Sequence, residues 1–146
     1  MATRKLILGC GDSPRKEGYI NLDIRNLPTV DVVRDVLRGL PFDDDSFTLV
    51  ETENFMEHIP QAEVIFVMNE IWRVLAVGGT AHHHIPLVNT DNDWQDPTHL
   101  SRWGVETFKY FERGSKKNLY YGEMIKPWTI NSLEADTRAI KVILQK

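Results

Sequence analysis

The feature that most constrains this fold is an apolar segment that enters a pair of glycines and is followed, about ten residues later, by a second apolar segment. Residues 6–8 lead into the Gly-Cys-Gly turn at 9–11, and residues 19–22 lead to Asp23. Glycines let the backbone approach a ligand closely, and an ionised carboxylate accepts hydrogen bonds from both hydroxyls of a ribose. The pattern predicts either two strands with a nucleotide-like ligand at their ends or a simple tight turn.

Further motifs follow in order along the chain. Residues 35–50 contain Leu-Pro-Phe and Ser-Phe, residues 55–59 contain a Glu-His pair, and residues 71–75 lead to Gly78 and Gly79. Together with the first turn, these motifs resemble the class I S-adenosylmethionine-dependent methyltransferases, specifically the small type 11-like methyltransferases. The resemblance covers about residues 5–111. It implies a methyltransferase with S-adenosylmethionine as its cofactor.

Two departures from that family concern the cofactor site. The family usually has an acidic residue just before the first turn and a third glycine after it, whereas this chain has Ile7 and Ser13. The family also commonly has a full helix between its first two strands. Here Pro14 and Gly18 both disfavour a helix in a crossover of near-minimal length. We expect a loop or one helical turn over residues 12–18, and a less enclosed methionine end of the cofactor.

The carboxyl ends of the predicted strands carry the candidate cofactor-binding residues, as in other open α/β sheets. The resemblance identifies Asp23 with the acid that binds the ribose, and Asp35 and Val36 with the pair that contacts the adenine. Turn or capping roles are the structural alternative for both aspartates. In that family, residues at the end of the fourth strand line the sulfonium of the cofactor and the path of its methyl group. The predicted cofactor-binding residues are Gly9, Cys10, Gly11, Asp23, Ile24, Asp35, Val36, Glu53 and Asn54.

Histidines supply a second group of candidate residues. Alternation along the fifth predicted strand places His82 and His84 on one face of the sheet and His83 on the other. We predict His84, His99 and Asp96 as catalytic residues, because an imidazole titrates near neutrality and a carboxylate can orient it. Divalent-metal sites use the same residue types, but this spacing singles out no metal geometry, so no metal ligand is assigned.

Composition limits the class of protein. The chain has 146 residues, of which 42% are hydrophobic and 26% charged, and this suits one globular domain over residues 1–146. A net charge of −4 gives no broad attraction to nucleic acid, so we expect no nucleic-acid partner. The apolar run at 6–8 is too short for a signal peptide or a membrane span, and Cys10 has no second cysteine to pair with. We expect a cytoplasmic location and no membrane partner.

One segment is locally basic. Residues 109–126 contain five basic side chains and only two glutamates. Such a segment is either a solvated loop or a rim that attracts an anionic substrate. The expected partner is therefore a small-molecule acceptor, with an anionic acceptor as one alternative.

Apolar and β-branched runs bounded by Pro, Gly or Asp predict strands over residues 4–9, 19–24, 31–35 and 47–52. A helix is expected from Pro60 to about Leu75, ended by Gly78 and Gly79. The later expected elements are a strand over about 80–85, a functional loop over 89–101, a short helix over 104–111 and an antiparallel pair over 127–135 and 138–145. This order predicts an α/β fold. The resemblance implies a three-layer Rossmann-like methyltransferase fold, with a mostly parallel seven-stranded sheet and an antiparallel strand near the C-terminus.

Two functions of different classes remain open, with a third as a further alternative. The preferred one is an enzyme that transfers a methyl group from S-adenosylmethionine to a small acceptor by in-line displacement, in which alignment supplies much of the rate enhancement. The second is a non-catalytic module that binds a nucleotide or S-adenosylmethionine, because Ile7 and Ser13 replace family residues. The third is a metal-dependent enzyme that uses the histidines.

Overall fold

A seven-stranded sheet forms the centre of the protein, with strand order β3-β2-β1-β4-β5-β7-β6. The computed structural model describes residues 4–146. Its strands are β1 Lys5–Leu8, β2 Tyr19–Asp23, β3 Val32–Val33, β4 Phe47–Glu53, β5 Leu75–Pro86, β6 Thr129–Ala135 and β7 Ala139–Gln145. Strands β1 to β5 are parallel, and β7 runs antiparallel to both β5 and β6. The predicted mostly parallel sheet with an antiparallel strand near the C-terminus is confirmed.

Short helices connect these strands. The α-helices are α1 Val64–Val74, α2 Asp91–Trp94 and α3 Lys116–Tyr121, and 3-10 helices cover Val36–Arg38, Met56–His58, Gln61–Glu63, Val105–Tyr110 and Gly122–Met124. The helix predicted from Pro60 begins with a 3-10 turn and becomes α-helical at Val64. No element was predicted over α3.

The prediction that Gly78 and Gly79 end this helix is wrong. Helix α1 ends at Val74, and β5 begins at once because Leu75 already pairs with Phe47 of β4. The pairing then shifts, and the glycines lie in the irregular first part of β5. A Cβ on Gly79 would come within 2.8 Å of the carbonyl oxygen of Ala76. Gly79 therefore serves a close backbone approach inside the strand, whereas Gly78 has a positive φ of +81°.

One face of the sheet carries the apolar core. Alternate residues of the strands turn to this face, and α1 packs its apolar side against them. The buried members from β1, β4 and β5 include Leu6, Leu8, Val50, Ala81 and Ile85, and those from α1 are Val64, Val67, Met68, Ile71 and Val74. Each large apolar side chain buried in this way contributes about 1.5–3 kcal/mol to stability.

The opposite face of the sheet is polar and open. The residues that line it come from β1, β4, β5, β6, β7 and the loop that follows β1, and none comes from a helix. No helix forms between β1 and β2, so the predicted loop over 12–18 is confirmed. The third layer of the predicted architecture is thus reduced to this loop, because the crossover is short and contains Pro14 and Gly18. We refer to this surface as the helix-free face.

Candidate functional site

Two cavities open at the carboxyl ends of the parallel strands. The first, of about 910 Å³, lies on the helix-free face, and the second, of about 540 Å³, lies between the ends of β1 and β2 and the residues after β3 and β4. Gly9 and Asn54 line both cavities, so the cavities meet where β1 and β4 end. Ligands of open α/β sheets bind at this edge.

The turn after β1 brings its backbone close to the next strands. Gly9 has a φ of +67°, and a Cβ at this position would overlap Cδ2 of Phe55. The amides of Gly9 and Cys10 both donate to the carbonyl oxygen of Leu22, at 2.9 and 3.3 Å. Only glycine therefore fits at position 9, where the backbone forms the floor shared by the two cavities.

Asp23 is held as an oriented carboxylate at the end of β2. Its Oδ2 accepts the amide of Gly11 at 2.9 Å, and its Oδ1 accepts the amide and Nε of Arg25 at 2.9 and 3.2 Å. Burial alone would raise the pKa of Asp23, but these donors outweigh it and hold the pKa below its usual value. An ionised carboxylate has about four acceptor sites. Three donors are already in place, so about one acceptor site, on Oδ2, remains for a hydroxyl of a bound ribose.

The remaining walls of the second cavity are mostly apolar. Ile24 and Leu100 line it with side chains that are 65% and 55% exposed. Asp35 also lines it, and its Oδ1 accepts the amide of Leu37 at 3.0 Å, which is the capping role that the sequence left open. Apolar walls with a few fixed polar groups suit a planar heterocycle.

The predicted cofactor-binding residues divide between the two cavities. Those that line the second cavity are Gly9, Asp23, Ile24, Asp35, Val36 and Asn54, and those that line the first are Gly9, Cys10, Glu53 and Asn54. Gly11 lines neither cavity, but its amide fixes Asp23. Arg25, Phe55 and His58 also line the second cavity and were not predicted. The family motif over residues 55–59 is the sequence signal that could have identified Phe55 and His58.

A row of ionisable side chains crosses the first cavity. Glu53 on β4 pairs in register with His84 on β5, His84 with Lys141 on β7, and Lys141 with Glu134 on β6. All four line the cavity. An imidazole with a carboxylate on one side and an ammonium on the other can exchange a proton with a bound molecule.

His83 belongs to the core instead. It is 2% exposed, and its Nδ1 lies 2.7 Å from Oγ1 of Thr52. Burial lowers the pKa of His83 to about 3, so its ring is neutral. The predicted alternation of the three histidines between the two faces is confirmed.

The structure does not bring His84 and His99 together. His84 lines the first cavity, whereas His99 packs edge-to-face on His58, with ring centroids 5.0 Å apart, beside the second cavity. Asp96 lies near His99, with 3.6 Å between its Oδ2 and Nε2 of the ring. The predicted catalytic residues therefore form one isolated histidine and one His-Asp pair.

The basic segment lies away from both cavities. No residue from 109–126 lines either cavity, and Lys109 and Lys117 form ion pairs with Glu112 and Glu106 at 3.0 and 3.8 Å. For these two lysines, the structure agrees with the alternative that the basic segment is a solvated loop. None of the helices described is long and apolar enough to cross a membrane.

Comparisons with known proteins point to one family. A family model described as a methyltransferase domain matches residues 8–82. A comparison with curated protein sequences gives no match.

Solved structures share the fold. A SAM-dependent methyltransferase from Archaeoglobus fulgidus has a TM-score of 0.69 at 16% identity, over 99% of this chain and 86% of that one. A chain from the complex between the Haloferax volcanii Trm112 methyltransferase activator and a methyltransferase has a TM-score of 0.69 at 14% identity. The match covers 99% of this chain and 82% of that one. The YcgJ protein from Bacillus subtilis has a TM-score of 0.65 at 13% identity, and the match covers 99% of this chain and 92% of that one.

Proposed function

Since this chain belongs to the methyltransferase domain family, we propose that it transfers the methyl group of S-adenosylmethionine to a small-molecule acceptor bound in the first cavity. S-adenosylmethionine supplies an electrophilic methyl group on a sulfonium. The observation that carries the proposal is that Gly9 and Asn54 line both cavities. A donor whose adenosine part lies in the second cavity can therefore extend its methionine part through this opening into the first, where the acceptor binds.

The residues of the second cavity fit the adenosine part of this donor. The Asp23 carboxylate has a remaining acceptor site for a ribose hydroxyl, and Ile24 and Val36 provide apolar contact for the adenine. The backbone of Gly9 allows the close approach that a side chain would prevent. These features support a role in donor binding for the residues predicted from sequence.

Glu51 is a candidate anchor for the amino group of the donor. The family has its acidic residue at the position of Ile7, and Glu51 of β4 pairs in register with Ile7 on the helix-free face. Both residues line the first cavity, and Oε2 of Glu51 is buried without a hydrogen-bond partner in the described chain; the ammonium of Lys16 lies 3.8 Å from it, beyond hydrogen-bond distance. A buried acceptor of this kind is stabilised by a cationic donor. We propose that Glu51 provides the carboxylate that position 7 lacks.

Calorimetric titration tests this assignment of the donor site. We expect S-adenosylhomocysteine to bind the wild-type protein and NAD not to bind. Glu51→Gln should weaken S-adenosylhomocysteine about 10- to 100-fold, the scale of one hydrogen bond to a charged group. The same variant should leave 5′-methylthioadenosine, which lacks the amino acid part, unchanged. Glu134→Gln, at the far end of the same cavity, is the matched control. Tight binding of NAD without S-adenosylhomocysteine would contradict the proposal.

His84 is the candidate base for an acceptor hydroxyl or amine, because its neighbours in register are Glu53 and Lys141. His84→Ala should lower turnover about 100-fold, the lower range for general acid–base catalysis, and leave S-adenosylhomocysteine affinity within about twofold. His99→Ala should also lower turnover, as the sequence predicts. Asp43→Ala, which changes an exposed residue that lines neither cavity, is the control. Release of S-adenosylhomocysteine with a panel of small hydroxyl and amine acceptors is the measurement, and an unchanged rate in His84→Ala would reject the assignment.

We further propose that residues 1–146 act as one domain in the cytoplasm. The continuous sheet from β3 to β6 supports the first point. The free and buried thiol of Cys10 is compatible with a reducing compartment. Cell fractionation with an antibody to the protein tests the location.

A further inference from the structure

A group of hydrogen-bond acceptors converges where the 3-10 helix after β4 meets the loop over 96–101. Glu57 is 1% exposed, and neither oxygen of its carboxylate has a hydrogen-bond partner in the part of the chain described. One ligand atom from each of Glu57, His58 and His99 lies within 4.8 Å of the other two. Oδ2 of Asp96 lies 3.6 Å from Nε2 of His99. A buried carboxylate without a partner is costly unless something positive satisfies it.

The hydrogen bonds of the two rings fix which nitrogen carries the proton. Nδ1 of His99 lies 2.9 Å from the carbonyl oxygen of Asp93, and Nδ1 of His58 lies 3.2 Å from that of Thr98. Because a carbonyl oxygen only accepts, both Nδ1 atoms are the donors. In the neutral rings Nε2 is then an acceptor.

The hydroxyl of Thr98 gives the same assignment. Its Oγ1 donates to Oδ1 of Asp96 at 2.6 Å, so toward Nδ1 of His58, at 3.2 Å, it can only accept. The free atoms of the cluster are therefore two imidazole nitrogens, both oxygens of Glu57 and Oδ2 of Asp96, all of them acceptors. A histidine that binds a metal through one ring nitrogen usually donates the N–H of its other ring nitrogen to a carbonyl or carboxylate, which is the arrangement found here.

We propose that Glu57, His58 and His99 bind one divalent transition-metal ion of the zinc class, with Asp96 as the fourth ligand. Two imidazoles with carboxylates form an N/O donor set suited to such ions. Ligand atoms of a tetrahedral zinc lie about 3.4 Å apart, since each lies about 2.1 Å from the metal. The cluster of Glu57, His58 and His99 needs only a modest closure of its side chains to reach that geometry. Asp96 lies beside His99 but outside that cluster, so its side chain would have to turn toward the ion.

The proposed ion would join two segments beside the second cavity. The amides of Leu100 and Ser101 already donate to the carbonyl oxygen of Glu57, at 2.7 and 3.1 Å. Leu100 and His58 both line the second cavity. The ion would thus fix a wall of that cavity, and in this role His99 and Asp96 are ligands rather than a base with its partner.

A shared proton is the competing account of the same cluster. Burial raises the pKa of Glu57 to about 7. A protonated Glu57 could donate to either ring and satisfy part of the cluster without a metal. This account predicts no stoichiometric metal binding.

Zinc titration separates the two accounts. The protein is treated with EDTA, dialysed, and titrated with ZnCl₂ in a calorimeter at pH 7.5, and CoCl₂ is used in a parallel absorption measurement. We expect one site per chain, visible absorption of tetrahedral cobalt, and a rise in melting temperature with zinc. His99→Gln and Glu57→Gln should each weaken zinc binding at least about 100-fold, and His82→Gln, a histidine outside the cluster, should not.

Asp96→Asn guards against variants that fail to fold, because it changes a side chain that is 42% exposed and keeps an oxygen that can accept from Thr98, and it should weaken zinc about tenfold. Absence of zinc binding, or wild-type affinity in both His99→Gln and Glu57→Gln, would overturn the proposal. Weakened binding in His82→Gln would do so as well. The titration does not involve the methyl donor, so its failure is distinct from a failure of S-adenosylhomocysteine to bind.

Discussion

Gly9→Ala should lower the free energy of unfolding by about 2–5 kcal/mol and abolish detectable binding of S-adenosylhomocysteine. A φ of +67° costs about 1–2 kcal/mol for a residue with a Cβ, and overpacking costs about 1–3 kcal/mol more. The overpacking arises because the new methyl group would overlap the ring of Phe55. Moving that ring also alters the wall of the second cavity, which Phe55 lines. Urea denaturation and calorimetric titration are the measurements.

Gly18→Ala is the matched control for this substitution. Gly18 has a φ of +80°, but nothing lies within 4 Å of a Cβ at that position. It should therefore show only the backbone cost, about 1–2 kcal/mol. The double variant Gly9→Ala/Phe55→Ala should regain part of the binding, because the overlap is removed. Equal losses in Gly9→Ala and Gly18→Ala would show that the close approach to Phe55 has no role.

Asp23→Ala should weaken S-adenosylhomocysteine by about 1.5–3 kcal/mol, or roughly 10- to 150-fold, the scale for hydrogen bonds to a charged group. The carboxylate is already oriented by the amides of Gly11 and Arg25, so little rearrangement is needed on binding. Asp43→Ala removes an exposed carboxylate that lines neither cavity, and it should change nothing. Titration of both variants with S-adenosylhomocysteine measures the difference.

Asp23 also predicts a pH dependence. Its pKa is lower in the folded protein than in the unfolded chain, so the unfolded chain takes up the proton first as the pH falls. The stability that Asp23 contributes is therefore complete above its usual pKa and is lost as the pH falls through the lowered value. Asp23→Ala should flatten the stability profile in acid and leave its slope above neutral pH unchanged. Parallel profiles for the wild type and the variant would contradict the assigned charge.

Most of the fold is predictable because its signals are local. Short apolar runs bounded by turn residues located all seven strands, and the short crossover with its helix-disfavouring residues predicted the loop over 12–18. The errors arose where a tertiary contact decided the outcome. The pairing of Leu75 with Phe47 ended α1 before the glycines, and no sequence signal shows that pairing.

The candidate site was predictable residue by residue but not as an arrangement. Strand ends identified the residues that line the two cavities, since carboxyl ends of parallel strands share one edge. Sequence could not show that His84 and His99 lie in different places, because 14 residues without a regular pattern separate them. Nor could it show Glu51 beside Ile7, which depends on the register between β1 and β4.

The helix-free face has a consequence for how this enzyme can change over generations. Side chains such as Ser132, Glu134 and Lys141 line the first cavity without belonging to the apolar core. Substitutions at such positions usually alter stability by no more than about 0.5 kcal/mol. New acceptor preferences could therefore be sampled there by single mutations that leave the fold intact. In relatives where a helix packs on this face, the same positions would be constrained by packing.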